Sequence, residues 1–122
     1  MTIAPLFDQL VKGDRMTFSQ TTLNEYCQKW QITEVCVFGS ALRDDFHRDK
    51  SDLDLLVTFS NSAPWSLFDL VAIEQELTIL AGRKVDLIEK RGMENSRNPI
   101  RKAEILASAK ILFSQAPAYE LA

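Results

Sequence analysis

Short runs of apolar and β-branched residues predict the strands of this chain. Residues 32–38 (I-T-E-V-C-V-F), 52–59 (D-L-D-L-L-V-T-F) and 84–89 (K-V-D-L-I-E) are rich in Val, Ile, Leu and Phe. Such runs, bounded by Gly, Asn or Pro, are typical of strands. A further short strand is predicted at 111–113. The sequence therefore predicts a sheet of three or more strands.

Helical spacing and capping signals predict about four helices between and around these strands. They begin near Pro5, Thr22, Ser66 and Pro99, and Gly13 and Gly82 are placed to end the first and third. One or two helical turns are predicted over 41–46, a charged loop over 47–51, and an irregular polar segment over 90–98. Strands alternating with helices favour an α/β fold. Long helical segments separate the second and third strands, so turn signals do not give their relative direction.

Length and charge narrow the class of protein. With 122 residues the chain fits one domain spanning 1–122, and no apolar run approaches the roughly eighteen residues that a membrane helix needs. The first twelve residues do not resemble a secretory leader, so we expect a cytoplasmic protein. The net charge is −3 without a basic stripe, which argues against stable nucleic-acid binding. Cys27 and Cys36 are interpreted as small buried residues.

The candidate chemistry begins with the carboxylates of the second and third predicted strands. Side chains alternate across a strand, so Asp52 and Asp54 are expected to share one face while Leu53, Leu55, Val57 and Phe59 point into a core. Neighbouring carboxylates repel unless a cation lies between them, and Mg²⁺ takes one or two carboxylates plus substrate phosphates. If the third strand lies beside the second, Asp86 joins the pair. Three carboxylates could hold two metal ions for an in-line phosphoryl displacement.

A Gly-Ser pair directly after the first strand suggests a place for a phosphate. Gly39 lets the backbone approach an anion closely, and Ser40 can donate a hydroxyl hydrogen bond. Arg43 follows at a spacing that could bring its guanidinium toward the same anion. Each of these motifs alone is weak, whereas their order and spacing along the chain are specific.

Together these motifs resemble the polymerase-β-type nucleotidyltransferase superfamily, whose signature is a strand, Gly-Ser, a spacer and D-x-D. Further blocks are similar to the minimal nucleotidyltransferase (MNT) antitoxins that are paired with HEPN-domain toxins. They are V-F-G-S-A-L-R (37–43), S-D-L-D-L-L-V (51–57), W-S-L-F-D-L (65–70), G-R-K-V-D-L (82–87) and I-R-K-A-E-I-L (100–106). The resemblance covers a core from about residue 20 to residue 113. It implies a polymerase-β-like nucleotidyltransferase fold with a small mixed sheet packed against helices.

The resemblance also implies a function and a role for each site residue. In that family the antitoxin transfers AMP from ATP to a tyrosine hydroxyl of its toxin, an RNase, and thereby neutralises it. Carried over, Gly39 and Ser40 would hold the triphosphate with Arg43 nearby. Asp52, Asp54 and Asp86 would bind two Mg²⁺ ions, and Asp86 would accept the proton of the tyrosine hydroxyl. The expected partners are a cognate HEPN toxin and ATP.

Two other functions stay open at this point. The chain could transfer a nucleotide to a small molecule of the aminoglycoside type, or it could neutralise a toxin by occlusion without chemistry. The set of three acids argues against a loss of chemistry, because a scaffold without activity has no need for them.

Several further residues have two interpretations each. Arg83 and Lys84 could reach a substrate phosphate, or they could be exposed charges at the start of a strand. Trp65 and Phe68 could stack on a base, but we favour packing. The cations Arg97, Arg101 and Lys102 are interpreted as a solvated face of the last helix.

Overall fold

The computed structural model describes residues 18–42, 52–94 and 97–115. For residues 40, 41 and 94 it describes the backbone only. The strands are β1 (Ile32–Phe38), β2 (Leu53–Phe59), β3 (Val85–Glu89) and β4 (Lys110–Ser114), and a 3₁₀ turn spans Gly39–Leu42. The helices are α1 (Gln20–Lys29), α2 (Leu67–Ala81), α3 (Lys90–Glu94) and α4 (Pro99–Ser108). This arrangement confirms the predicted α/β class. The helix expected over 5–13 and the loop expected over 47–51 lie outside the described residues.

The four strands form one mixed sheet in the order β3-β2-β1-β4. Strand β1 pairs antiparallel with both β2 and β4, whereas β2 and β3 are parallel. Parallel neighbours need a crossover, which α2 supplies. The sheet therefore sets β3 directly beside β2, the condition on which Asp86 was expected to meet the D-x-D motif.

Each face of the sheet is covered by two helices. The larger core lies between the sheet and the helices α1 and α2, and it contains Leu53, Leu55 and Val57, as the alternation along β2 predicts. On the other face, Cys36, Phe38 and Leu56 pack against Met93 of α3 and Ile105 of α4. Within the described ranges, no helix is long and apolar enough to cross a membrane. The alternation of β2 thus assigns Asp54, between Leu53 and Leu55, to the face covered by α3 and α4.

Caps decide where three of the helices start and stop. Helix α1 begins three residues before the expected position, because Ser19 is its N-cap and accepts a hydrogen bond from the backbone N–H of Thr22. Helix α2 has the predicted capping box of Ser66 and Asp69, and it ends at Gly82, which has a left-handed φ of 72°. Helix α4 starts at Pro99 as predicted, with Asn98 as N-cap.

One prediction about a loop and one about the packing of a side chain need correction. The segment 90–98 contains the helix α3, which is held by the buried side chain of Met93 against Leu56 and Ile105. Phe68, expected to pack, is 87% exposed at the start of α2. Trp65 does pack, because its ring lies edge-on to that of Trp30 with the ring centroids 5.0 Å apart. Its Nε1 also donates a hydrogen bond to the Trp30 carbonyl oxygen at 2.7 Å.

The two cysteines are free and buried, as predicted. Burial raises the pKa of the Cys27 thiol to about 12, and burial with the nearby Glu34 carboxylate raises that of Cys36 to about 12. Both therefore stay protonated near neutral pH. They act as small core residues on opposite faces of the sheet.

Candidate active site

Two carboxylates face each other across the parallel strands β2 and β3. The register pairs Asp54 with Asp86, and each is half-buried. Neighbouring strands lie about 4.8 Å apart, and residues in register present their side chains to the same face of the sheet. Like charges in this position destabilise a sheet. The pair therefore favours a bound cation over an empty site.

Gly39 closes the site on the β1 side. Strand β1 is antiparallel to β2, and Phe38 is in register with Asp54, so the chain leaves β1 beside the Asp54 carboxylate. Gly39 has φ 74°, and a Cβ atom on it would collide with Oδ2 of Asp54 and lie 3.4 Å from its Cγ. A side chain at this position would thus be strained and would also displace the carboxylate. The missing Cβ keeps the backbone and the acid in close approach.

Asp52 stands at the entrance to β2 and is less enclosed. Its Oδ2 lies 3.9 Å from Nζ of Lys84, and the side chains are 41% and 73% exposed respectively. A pair this exposed contributes about 0.2–1 kcal/mol at most, because water and salt screen it. Lys84 is therefore a weak counterion for Asp52 in the absence of metal.

The donor set fits magnesium once a substrate is present. Among residues 18–42, 52–94 and 97–115, no three His, Cys, Asp or Glu side chains converge as a ready set of metal ligands. Mg²⁺ is usually bound by one or two carboxylates plus substrate phosphates, not by a complete cage of protein ligands. The Asp54–Asp86 pair, together with the space kept open by Gly39, matches that requirement. The site with all three acids as ligands stays a prediction.

A cavity of about 330 Å³ opens beside Gly39 and Asp54, under the helix α4. Its other lining residues are Phe38, Arg101, Glu104, Ile105 and Ser108. The guanidinium of Arg101 has no hydrogen bond or ion pair with any residue in the described parts of the chain; only its backbone N–H does, to Asn98. The cavity therefore combines carboxylates with a cation that has no partner there.

The expected site residues have different outcomes. Gly39, Asp54 and Asp86 are brought together, and Asp52 lies two residues away along β2. Ser40 belongs to the 3₁₀ turn after β1, and Arg43 lies outside the described residues. Arg101 is exposed, as expected for a solvated face, and it also lines the cavity of Asp54. The signal that could have found it is the cluster of cations at the start of a helix, where positive charge is unfavourable.

Replacing Lys84 by Met tests whether this lysine acts as the counterion of Asp52. We expect Mg²⁺ to bind about two- to threefold more tightly in the presence of nucleotide, because a competing charge is removed. The free energy of unfolding should change by less than about 0.5 kcal/mol. A magnesium titration followed by nucleotide fluorescence measures the first effect, and urea denaturation the second. A large loss of nucleotide affinity would instead assign Lys84 to a substrate phosphate.

Known proteins are similar to this chain in sequence. The family model described as nucleotidyltransferase domain matches residues 20–112. A candidate protein adenylyltransferase of Methanocaldococcus jannaschii is 35% identical over 68 residues, which are 56% of this chain and 66% of that protein, just under two thirds. The protein adenylyltransferase MntA of Thermococcus cleftensis is 34% identical over 71 residues, 58% of this chain and 69% of that protein.

A solved structure of low sequence identity has the same fold. It is a tri-AMPylated HEPN toxin of Shewanella oneidensis in complex with its MNT antitoxin. The match has a TM-score of 0.54 at 17% identity, and it covers 83% of this chain and 74% of that chain. At this identity the likeness concerns the fold.

Proposed function

This chain belongs to the nucleotidyltransferase domain family, and from that membership we propose that it transfers AMP from ATP to a tyrosine hydroxyl of a cognate HEPN-domain toxin, which it thereby neutralises. The observation that carries the proposal is a row of three residues across the sheet: Gly39, directly after β1, closely approaches Asp54 on β2, and Asp54 is in register with Asp86 on β3. Phosphoryl transfer depends mainly on positioning and on neutralising charge. This row offers a place for phosphates beside a pair of carboxylates.

The names of relatives support the choice of acceptor. Thermococcus cleftensis MntA is named a protein adenylyltransferase, and the Shewanella oneidensis structure holds an AMPylated HEPN toxin with its antitoxin. We carry this activity and this class of partner to the present chain as a proposal. We expect the protein to act in the cytoplasm, where ATP is available.

In the proposed reaction, the three acids share one task and Asp86 has a second. Gly39 and Ser40 would hold the triphosphate, and Asp52, Asp54 and Asp86 would hold Mg²⁺, which would supply positive charge that neutralises the phosphates. The tyrosine oxygen forms a bond to the α-phosphorus, and the bond from that phosphorus to the oxygen of the β-phosphate breaks. Pyrophosphate leaves with the electron pair, and the phenolic proton passes to the Asp86 carboxylate. The products are the tyrosine–AMP ester and pyrophosphate.

Intact-mass spectrometry of the chain together with its toxin tests this function. The chain is purified together with the product of its neighbouring gene, the expected toxin, and the pair is incubated with ATP and Mg²⁺. We expect an AMP-sized mass gain on the toxin and none on a toxin whose acceptor tyrosine is replaced by Phe. Omission of Mg²⁺ should prevent the gain. A folded, nucleotide-bound pair that shows no gain would refute the proposal.

Neutralisation by occlusion is the second candidate, and one observation favours it. Leu67, Phe68 and Val71 are 75%, 87% and 48% exposed at the start of α2, and exposed apolar patches mark contact surfaces. This patch belongs to the helices α1 and α2, which cover the face of the sheet that does not carry Asp54. It lies near Trp65, which contacts Trp30. A partner held there would not present its acceptor to the site. If a catalytically inactive variant still protects cells from the toxin, occlusion contributes.

A further inference from the structure

A second cavity lies on the same face of the sheet, between α3, α4 and β3. It has a volume of about 260 Å³ and is lined by Ile88, Gly92, Met93, Arg101, Lys102 and Ile105. Three of these side chains are apolar and two are cations. Ile88 follows Asp86 by two residues on β3, so both project from one face about 7 Å apart. The cavity is therefore within a side chain's length of the proposed proton acceptor.

The two cavities lie toward opposite sides of β2, and the second is two residues further along the strands than Asp54, because Ile88 is in register with Leu56. The sheet order sets β1 with Gly39 on one side of β2 and β3 with Asp86 on the other. The first cavity contains Phe38 and Gly39 of β1, and the second contains Ile88 of β3. Arg101 and Ile105 of α4 line both cavities, which are therefore neighbours.

In-line displacement requires the attacking and leaving oxygens to lie on opposite sides of the phosphorus. If Gly39 and Ser40 hold the departing pyrophosphate on the β1 side, the acceptor must approach from the β3 side. We propose that the second cavity binds the aromatic ring of the acceptor side chain and presents its hydroxyl to Asp86. This inference rests on the proposed function, and it names the residues that select the acceptor.

The lining suits a phenol ring better than a Ser or Thr side chain. Ile88 and Ile105 offer aliphatic contacts, and the Met93 thioether interacts favourably with aromatic rings. The side chains of Arg101 and Lys102 can lie over a ring face as cations. A Ser or Thr side chain would leave most of the volume empty, with its apolar lining lacking contact partners. The cavity thus favours tyrosine as acceptor by its shape and chemistry.

Gly92 allows the cavity to be filled without disturbing the fold. A Cβ atom on Gly92 would meet no atom within 4 Å, and Gly is a poor helix former, so a side chain is tolerated in α3. We expect Gly92→Phe to lower kcat/KM for the toxin roughly a hundredfold, because the ring is displaced from the site. The dissociation constant of ATP with Mg²⁺ should change less than about twofold. Gly92→Ala is the matched control and should keep most of the activity.

The experiment compares both variants with the unchanged protein in complex with the toxin. Toxin transfer is followed by intact mass, and ATP affinity by fluorescence titration. Equal transfer by Gly92→Phe and the unchanged protein would overturn the inference and leave the proposed function standing. Loss of ATP affinity in Gly92→Phe would also overturn it, since the cavity would then belong to the nucleotide. An unchanged protein that transfers no AMP would instead overturn the proposed function.

Discussion

Asp54→Asn is expected to lower the rate of AMP transfer about a thousandfold while leaving the fold intact. Asn has nearly the shape of Asp but lacks the charge, so it keeps the packing between Phe38 and Asp86 and loses the metal. In the proposed site, a bound cation would relieve the repulsion between Asp54 and Asp86, which are in register on neighbouring strands. Magnesium with a nonhydrolysable ATP analogue should therefore raise the melting temperature of the unchanged protein and have little effect on the variant.

Asp69→Asn is a suitable control for this substitution. Asp69 accepts hydrogen bonds from the backbone N–H and the hydroxyl of Ser66 in the capping box of α2, away from the proposed site. Its replacement should reduce stability slightly and leave AMP transfer unchanged. Rates of transfer by Asp54→Asn within tenfold of the unchanged protein would rule out Asp54 as a principal metal ligand.

Gly39→Ala should reduce both stability and activity. A non-glycine residue at φ 74° costs about 1–3 kcal/mol, and the new Cβ would push against the Asp54 carboxylate. We expect the free energy of unfolding to fall by about this amount in urea denaturation. Transfer should fall roughly a hundredfold, because the carboxylate is displaced from its working position.

Gly82→Ala separates the two effects of this change. Gly82 also has a left-handed backbone, with φ 72°, but it lies at the end of α2. Its replacement should cost about 1 kcal/mol of stability and leave transfer unaffected in the protein that stays folded. If Gly39→Ala transfers AMP as well as Gly82→Ala does, the close approach of Gly39 to Asp54 has no role in the reaction.

The strands and the longer helices could be predicted from sequence, because they depend on local patterns. Leu53, Leu55 and Val57 alternate along β2 with residues that point to the other face of the sheet, and they are buried as expected. The caps at Ser66 and Gly82 also depend on neighbouring residues. The start of α1 was missed because Thr22 and Glu25 match a capping pattern, whereas Ser19 makes the actual cap.

Features that depend on tertiary contacts could not be predicted in the same way. Asp54 and Asp86 are in register because β2 and β3 are parallel, and the two strands are joined by the crossover through α2. No short-range sequence signal specifies that these two strands pair in parallel. Helix α3 has only five residues and contains Gly92, so it is not stable by itself and depends on the burial of Met93. Arg101 is a surface cation, as predicted, but its place beside the Asp54 cavity could not be predicted, because the sequence does not reveal which helix covers the acids.

The position of β1 between β2 and β4 has a consequence for the order of assembly. Val35 of β1 pairs with Phe113 of β4. Strand β1 therefore gains its second neighbour from a segment that is synthesised more than seventy residues later. Pairings this distant in sequence slow folding, because a long loop must close first. During synthesis, β1 and β2 can meet early, but the sheet is complete only once β4 has left the ribosome. A freshly made chain therefore completes its sheet late, after the helices α1 to α4 have already been translated.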